Sequence, residues 1–339
     1  MDELEDFFRS KDILVTGGCG SIGSKLVEQL LRYDVKRVRV LDHNESGLFH
    51  LQERLKQHEK LRTLIGDIRD KERLRWAMLD VDIVFHAAAL KHVPLCEYNP
   101  FEAVSTNVYG TQNLINVARD EKVDKFIAIS TDKAVNPINT MGAAKLLSEK
   151  LVLTAPLGDV RPAFSCVRFG NVLNTDGSVI PIFEEQIKNG EPVTVTSKEM
   201  VRFFMSMNDA IALILKAAQK ASGREIFILK MDAMRIVDLA EVMIEELAPR
   251  YDHDDIKIEI IGIRPGEKIY ELLMSEEEAQ YAEDWGDMFI LKPGIITPHM
   301  SISEKVTSQP IRVEEYNSRN AKLLTKEEIK TLFTRLKSE

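Results

Sequence analysis

The sequence predicts an α/β protein: a doubly wound parallel sheet with a smaller C-terminal substrate lobe. Three observations predict it. Short apolar runs alternate with amphipathic stretches through the first half, a glycine-rich turn joins the first run to the first stretch, and the alternation changes character after about Asn171. The length, 339 residues, suits two domains or one large α/β unit carrying a lobe. With 44% apolar and 29% charged residues, the chain can bury a sizeable core.

The apolar runs at 13–16, 38–41, 61–65, 81–89, 126–130 and 164–169 read as strands buried on both faces. Between them, 22–33, 46–57, 71–79, 101–120 and 141–153 repeat apolar residues every three or four positions and read as helices. Residues 1–175 are expected to form a dinucleotide-binding domain, with 208–230 returning to it. The lobe is expected from 176–207 and 231–300. The tail, 301–339, is expected to carry an amphipathic helix that starts at a capping box, Thr325 with Glu328 three residues on.

Several classes are excluded or disfavoured. No apolar run approaches the ~18–20 residues that span a bilayer, and the acidic start, MDELEDFFRS, lacks the blocks of a signal peptide. Cys19, Cys96 and Cys166 are odd in number and far apart, which argues against a disulfide framework or zinc site and suits a reducing cytoplasm. No metal site is expected. A net charge of −9 without a basic run argues against a nucleic-acid partner. An anionic small molecule stays compatible, because a few Arg and Lys can dominate one cleft.

Thr16-Gly17-Gly18-Cys19-Gly20-Ser21-Ile22-Gly23 follows the first run and opens the first helix. Gly17 permits the tight turn, Gly20 lets backbone approach a pyrophosphate, and Gly23 allows close packing of helix on strand. Ser21 and Ile22 begin the helix, whose first N–H groups then face phosphate. Glycines also mark plain turns, but strand, glycines, helix and second strand occur here in the order that a dinucleotide site requires. Asp42 closes the second run, placed to bind the adenosine ribose; a carboxylate there repels a 2′-phosphate and favours NAD over NADP. The alternative is that Asp42 caps the helix starting near Asn44. Asp67, followed by Ile68, either caps the next helix or lies beside the adenine.

The Gly-x-x-Gly-x-x-Gly spacing, with Ala87-Ala88-Ala89 after the fourth run, resembles the extended short-chain dehydrogenase/reductase superfamily and its Rossmann-like fold. In that superfamily the small residues pass under the cofactor. Asn107 resembles its helix asparagine and is assigned a supporting role. A Tyr-x-x-x-Lys pair usually follows, with the lysine holding the nicotinamide ribose and lowering the tyrosine pKa. Here Lys145 is present, but position 141 is Met, which carries no proton.

Ser130-Thr131-Asp132-Lys133-Ala134-Val135-Asn136-Pro137, with Met141-Gly142 and Lys145, is similar to the UDP-N-acetylglucosamine 4,6-dehydratases, some of which carry Met at the tyrosine position. The blocks Ala88 to Pro94, Val167 to Val172, Met200 to Met205 and Ile263 to Lys268 extend the resemblance from about residue 10 to 275. It implies an NAD-dependent reaction on UDP-N-acetylglucosamine: oxidation at C4, loss of the C5 proton and of water from C6, and hydride return to C6. Lys133 is the expected C5 base and Asp132 the acid for the C6 hydroxyl, with the Lys133 pKa depressed by the nearby charges of Lys145 and the nicotinamide. The C4 proton passes to Thr131, to Asp132 or to water.

For the substrate, the resemblance implies Arg202 and Arg264 at the diphosphate, Glu267 at the ribose, Asn171 near the diphosphate and Lys91 near the sugar. His92 is read as a structural histidine. Two rivals remain: a nucleotide-sugar 4-epimerase of the same fold, and a non-catalytic NAD-binding protein. The start of the chain, a few residues before the first strand, implies a free-standing cytoplasmic form. The second-strand ending Leu41-Asp42-His43-Asn44-Glu45 resembles members that retain configuration at C5. The predicted helices 101–120 and 141–153 resemble the superfamily's dimer interface, so at least a homodimer is expected.

Overall fold

The computed structural model describes residues 3–155, 162–173, 175, 178–253, 255–292 and 315–338. Strands β1 (Asp12–Thr16), β2 (Arg37–Asp42), β3 (Leu61–Ile65), β4 (Ile83–His86), β5 (Lys125–Thr131) and β6 (Ala163–Phe169) arise from the six apolar runs. Further on come β7 (Asn171–Val172), β8 (Val193–Val195), β9 (Val201–Met205), β10 (Ile226–Leu229) and β11 (Asp232–Arg235). The last are β12 (Ile258–Ile260), β13 (Leu272–Met274), β14 (Ala282–Asp284), β15 (Met288–Leu291) and β16 (Tyr316–Asn317).

The main sheet runs β3-β2-β1-β4-β5-β6-β10-β15-β14. From β3 to β10 every pairing is parallel, and β1, β4 and β6 are buried throughout, as expected of strands covered by helices on both faces. The strand order reverses between β1 and β4, which opens a crevice at the carboxyl ends where such sheets bind ligands.

Two expectations about the C-terminal half change. Residues 282–291, expected in the lobe, form β14 and β15 and extend the main sheet beyond β10. Met288–Leu291 is wholly buried, and by pairing with β10 it covers an edge that would otherwise stay open. Nor is the tail helix an appendage. Lys326–Ser338 starts at the Thr325–Glu328 capping box and packs Ile329 and Phe333 into the lobe core with Phe183, Leu239 and Met243. That lobe is held by the sheet β11-β9-β7 and the pair β8-β12.

The stretch expected as one helix over 101–120 is divided. Pro100–Val104 leads into a π-helical turn, Ser105–Gly110, and then Thr111–Asp120. The wider turn seats buried Asn107, whose amide donates to Leu90 C=O at 2.9 Å and whose oxygen accepts the Leu90 N–H at 2.8 Å. It thereby pins the loop that follows the three alanines.

Candidate active site

A cleft of about 710 Å³ lies between the carboxyl ends of the parallel strands and the lobe. One wall is made of glycine. Gly17 sits at φ +68°, and a Cβ on it would fall 2.5 Å from the backbone of Ala88. A Cβ on Gly23 would fall 2.3 Å from the Gly17 carbonyl oxygen. Gly20 is different: its Cβ would meet only that same oxygen, at 3.4 Å, so the space beyond it is open cleft. No side chain caps the helix Ser21–Leu30, leaving the amides of its first turn without an intrahelical acceptor. Ser21, Ile22, Ala87 and Ala89 line the same wall, and Ala88 supports it from behind. An open cradle over an uncapped helix start fits the pyrophosphate of a dinucleotide.

Asp42 does not cap the following helix; Asn44 does, accepting the Gly47 N–H at 2.9 Å. The Asp42 carboxylate instead accepts the Cys19 N–H at 2.9 Å and the Asn44 N–H at 3.0 Å, tying the end of β2 to the glycine turn. Burial and the Asp42 charge push the Cys19 thiol up to about 12, so it stays a thiol. Asp67 is no cap either, because Asp70 caps Lys71–Met78. It accepts the Arg69 N–H at 2.8 Å and pairs with the Arg69 guanidinium, whose hydrogen bonds hold its carboxyl below the usual carboxylate range. Ile68 is buried against Gly110. None of Asp42, Asp67 and Ile68 lines the cleft itself.

At the carboxyl end of β5, Thr131, Lys133, Met141 and Lys145 line the cleft. Asp132 does not. It is fully buried, and its Oδ1 accepts the Thr131 hydroxyl at 2.7 Å and the Lys133 ammonium at 3.0 Å. An acid so placed reaches the cleft through the Thr131 hydroxyl, which corrects its expected direct contact with a sugar hydroxyl. Gly142 makes this packing feasible, since a Cβ there would fall 2.3 Å from the Lys133 carbonyl oxygen.

The two lysines differ. Lys145 is buried in the helix Thr140–Thr154 and donates to the Ile129 C=O at 2.6 Å. Burial lowers its pKa, with Cys166 and Glu149 opposing. For Lys133 burial also opposes the charge, but Asp132 and then Glu271 outweigh it, so its pKa is raised despite Arg202. The expected depression of Lys133 by Lys145 is therefore overturned: the carboxylates beside it hold it as an ammonium ion.

Arg202 and Glu267 line the cleft, yet both have partners within the protein. The Arg202 guanidinium donates to the carbonyls of Val201, Ile269 and Lys268 and lies 3.5 Å from Glu271 and 3.6 Å from Glu267. Glu267 also accepts the Arg264 N–H at 3.2 Å. Arg202 so committed is part of the floor, whereas Arg264 is an exposed cation at the rim. Lys91 and Asn171 line the cleft as well. His92, read as a structural histidine, is exposed there and faces the cleft beside Lys91.

Sequence reasoning missed Glu271. It is 3% exposed, 3.8 Å from the Lys133 ammonium, and its Oε2 has no partner among the described residues. A signal was there: a lone acid followed by Leu272 and Leu273 just after Arg264-Pro265-Gly266-Glu267. Lys268, donating to the Val135 C=O at 2.8 Å, was missed likewise.

A family profile described as "Polysaccharide biosynthesis protein" matches residues 13–293. The chain belongs to that family. An uncharacterized membrane protein of Methanocaldococcus jannaschii is 56% identical over 334 residues, 97% of each chain. An inverting UDP-N-acetylglucosamine 4,6-dehydratase of Campylobacter jejuni is 40% identical over 85% of this chain and 84% of its own. A UDP-glucose 4-epimerase of Rickettsia bellii is 39% identical over 97% of each. Among solved structures, Pen from Bacillus thuringiensis superposes with a TM-score of 0.88 at 43% identity, covering 97% of this chain and 99% of that one. The chain thus stands among nucleotide-sugar dehydratases and epimerases. Among the described residues no helix is long and apolar enough to cross a membrane.

Proposed function

We propose that the protein is an NAD-dependent 4,6-dehydratase acting on UDP-N-acetylglucosamine. The observation that carries it is the Thr131–Asp132–Lys133 arrangement: a half-buried hydroxyl that lines the cleft and is bonded to a buried carboxylate, beside an amine, at the sheet end that faces the glycine cradle. The 4-epimerase relatives keep a second assignment in play, but epimerisation needs no acid and base for elimination.

The glycine cradle at Gly17, Gly20 and Gly23 with Lys145 would hold NAD, which would supply the hydride chemistry between C4 and C6. The rest falls to the chain. The Thr131 hydroxyl takes the C4 hydroxyl proton as its own passes to Asp132, which replaces the proton route closed by Met141. Lys133, once neutral, removes the C5 proton that the C4 ketone has made acidic. Asp132 returns its proton through Thr131 to the departing C6 hydroxyl, which leaves as water. Lys133 gives its proton back at C5. Protons balance, and the net change is loss of one water. Lys145 holds the ribose of the cofactor, while Lys91, Asn171 and Arg264 hold the substrate.

Run in heavy water, the reaction should place solvent deuterium at C5 of the product. Lys133→Ala should remove both exchange and turnover; exchange at the full rate would overturn the role of Lys133. We place the enzyme in the cytoplasm, where its three free cysteines suit a reducing milieu. Self-association is supported by Leu95, Tyr98, Phe101, Tyr109 and Leu147, all more than half exposed on neighbouring helices. Light scattering that gives a monomer would remove that part.

A further inference from the structure

We propose that Glu271 is a positioning residue for the base of the reaction: it holds the Lys133 ammonium in the cleft floor and sets the pH at which that group releases its proton. This inference presupposes the dehydratase activity proposed above. It starts from geometry. The Lys133 ammonium is bracketed by Asp132 at 3.0 Å and Glu271 at 3.8 Å, on different elements. Glu271 itself is fixed from behind: its N–H donates to the Ser318 hydroxyl at 3.0 Å, and its C=O accepts the Ser318 N–H at 2.9 Å. Ser318 in turn donates to the Val201 C=O at 3.0 Å. The tail thus clamps a carboxylate beside a lysine more than a hundred residues away.

The two carboxylates are not equivalent. Asp132 Oδ1 receives two hydrogen bonds, from the Thr131 hydroxyl and the Lys133 ammonium. Among the described residues Glu271 receives none on its carboxylate and its Oε2 has no partner; its neighbours are the charges of Lys133 at 3.8 Å and Arg202 at 3.5 Å. Burial first, and then Asp132, push its carboxyl pKa above the ordinary value, against the pull of Lys133, Arg202 and Lys268. The groups facing Lys133 are therefore Asp132, Glu271 and Arg202, with Lys268 next in the cluster. Lys133 must lose its proton before it can act at C5, and the Glu271 charge beside it opposes that loss, while Asp132 stays free for the Thr131 relay.

Glu271→Gln tests it, because glutamine keeps the shape and removes the charge, and burial already disfavours that charge. The acid limb of the pH–rate profile for dehydration should move to lower pH by about one unit, since one fewer anion stabilises the ammonium. Glu271→Asp keeps a charge withdrawn by one methylene, so its limb should fall between the two. A second readout needs no turnover: competitive acetylation of Lys133 at fixed pH, measured by peptide mass spectrometry against exposed Lys122. It should run about tenfold faster in Glu271→Gln than in the wild type. Lower turnover with an unmoved limb, or equal labelling rates, would leave Glu271 a merely structural acid and overturn the proposal. If the wild type converts no nucleotide sugar, the dehydratase assignment fails, and the labelling ratio still decides the charge coupling.

Discussion

On one wall of the cleft Gly17, Gly20 and Gly23 act by having no side chain; on the other, Thr131, Lys133 and Arg202, with Asp132 and Glu271 buried behind them, bring charges and protons together. The glycine wall is contiguous in sequence and made of backbone, so its tolerance is steric and local. The charged wall joins β5, β9 and the segment before β13, and its properties belong to the group rather than to any member. Binding is thus built where the chain is simplest, and chemistry where distant segments meet.

The comparison breaks most visibly at the glycines. Gly23→Val would drive side-chain atoms into the Gly17 carbonyl and the Gly18 backbone, which cannot yield. We expect little folded protein, seen as loss of a cooperative thermal transition. Gly20→Ala should keep a cooperative thermal transition but purify without the NAD expected to accompany the wild type, read in the extract of the denatured protein. Equal effects of the two would mean that Gly20 does not face the cofactor.

On the charged wall, Thr131→Val is nearly isosteric but cuts the relay from the cleft to Asp132. Turnover should fall by about 10²–10⁴, with a melting temperature close to that of the wild type. A fall of less than tenfold would show that the proton reaches Asp132 or solvent by another path.

Asp42 links the two kinds of wall, a charge serving backbone. Asp42→Ala leaves the Cys19 and Asn44 N–H groups without their acceptor, at a cost of about 1–3 kcal/mol in stability. If Asp42 sets cofactor choice, the same variant should move the ratio of NAD to NADP affinity by about tenfold toward NADP in titrations. An unchanged preference would move ribose recognition elsewhere.

The smallest effect is expected at His86, buried between Thr16 at 2.9 Å and Thr111 at 3.0 Å. Burial, with help from the Lys145 charge, lowers its pKa to about 3. The unfolded chain, with an ordinary histidine near 6.5, binds the proton first. The contribution of His86 is therefore intact above pH ~6.5 and declines as pH falls toward 3, by at most about 1.4 kcal/mol per unit. Melting between pH 6.5 and 5, above most carboxylate titrations, should show this slope in the wild type and a flatter one in His86→Gln.

The same contrast explains what the sequence could reveal. The glycine turn, the alternating runs and the Thr131–Lys133 segment are local patterns, and each carries its physics within a few residues. Glu271 and the roles of Arg202 and Asp132 depend on contacts between segments. Arg202 read as a diphosphate ligand from the resemblance and from the match of a guanidinium fork to phosphate; the carbonyls of Lys268 and Ile269 that occupy it are visible only in the fold. Lys133 read as depressed by charges expected nearby in the site, while Asp132 beside it and Glu271 from far along the chain raise it. The strands β14 and β15 were assigned to the lobe because nothing local marks which sheet an apolar run will join.

The central claim is tested most directly by mass spectrometry of UDP-N-acetylglucosamine incubated with the purified protein and no added cofactor. Loss of one water from the sugar is the predicted result, with NAD retained and recycled. A sugar of unchanged mass, whether epimerised at C4 or untouched, would contradict it.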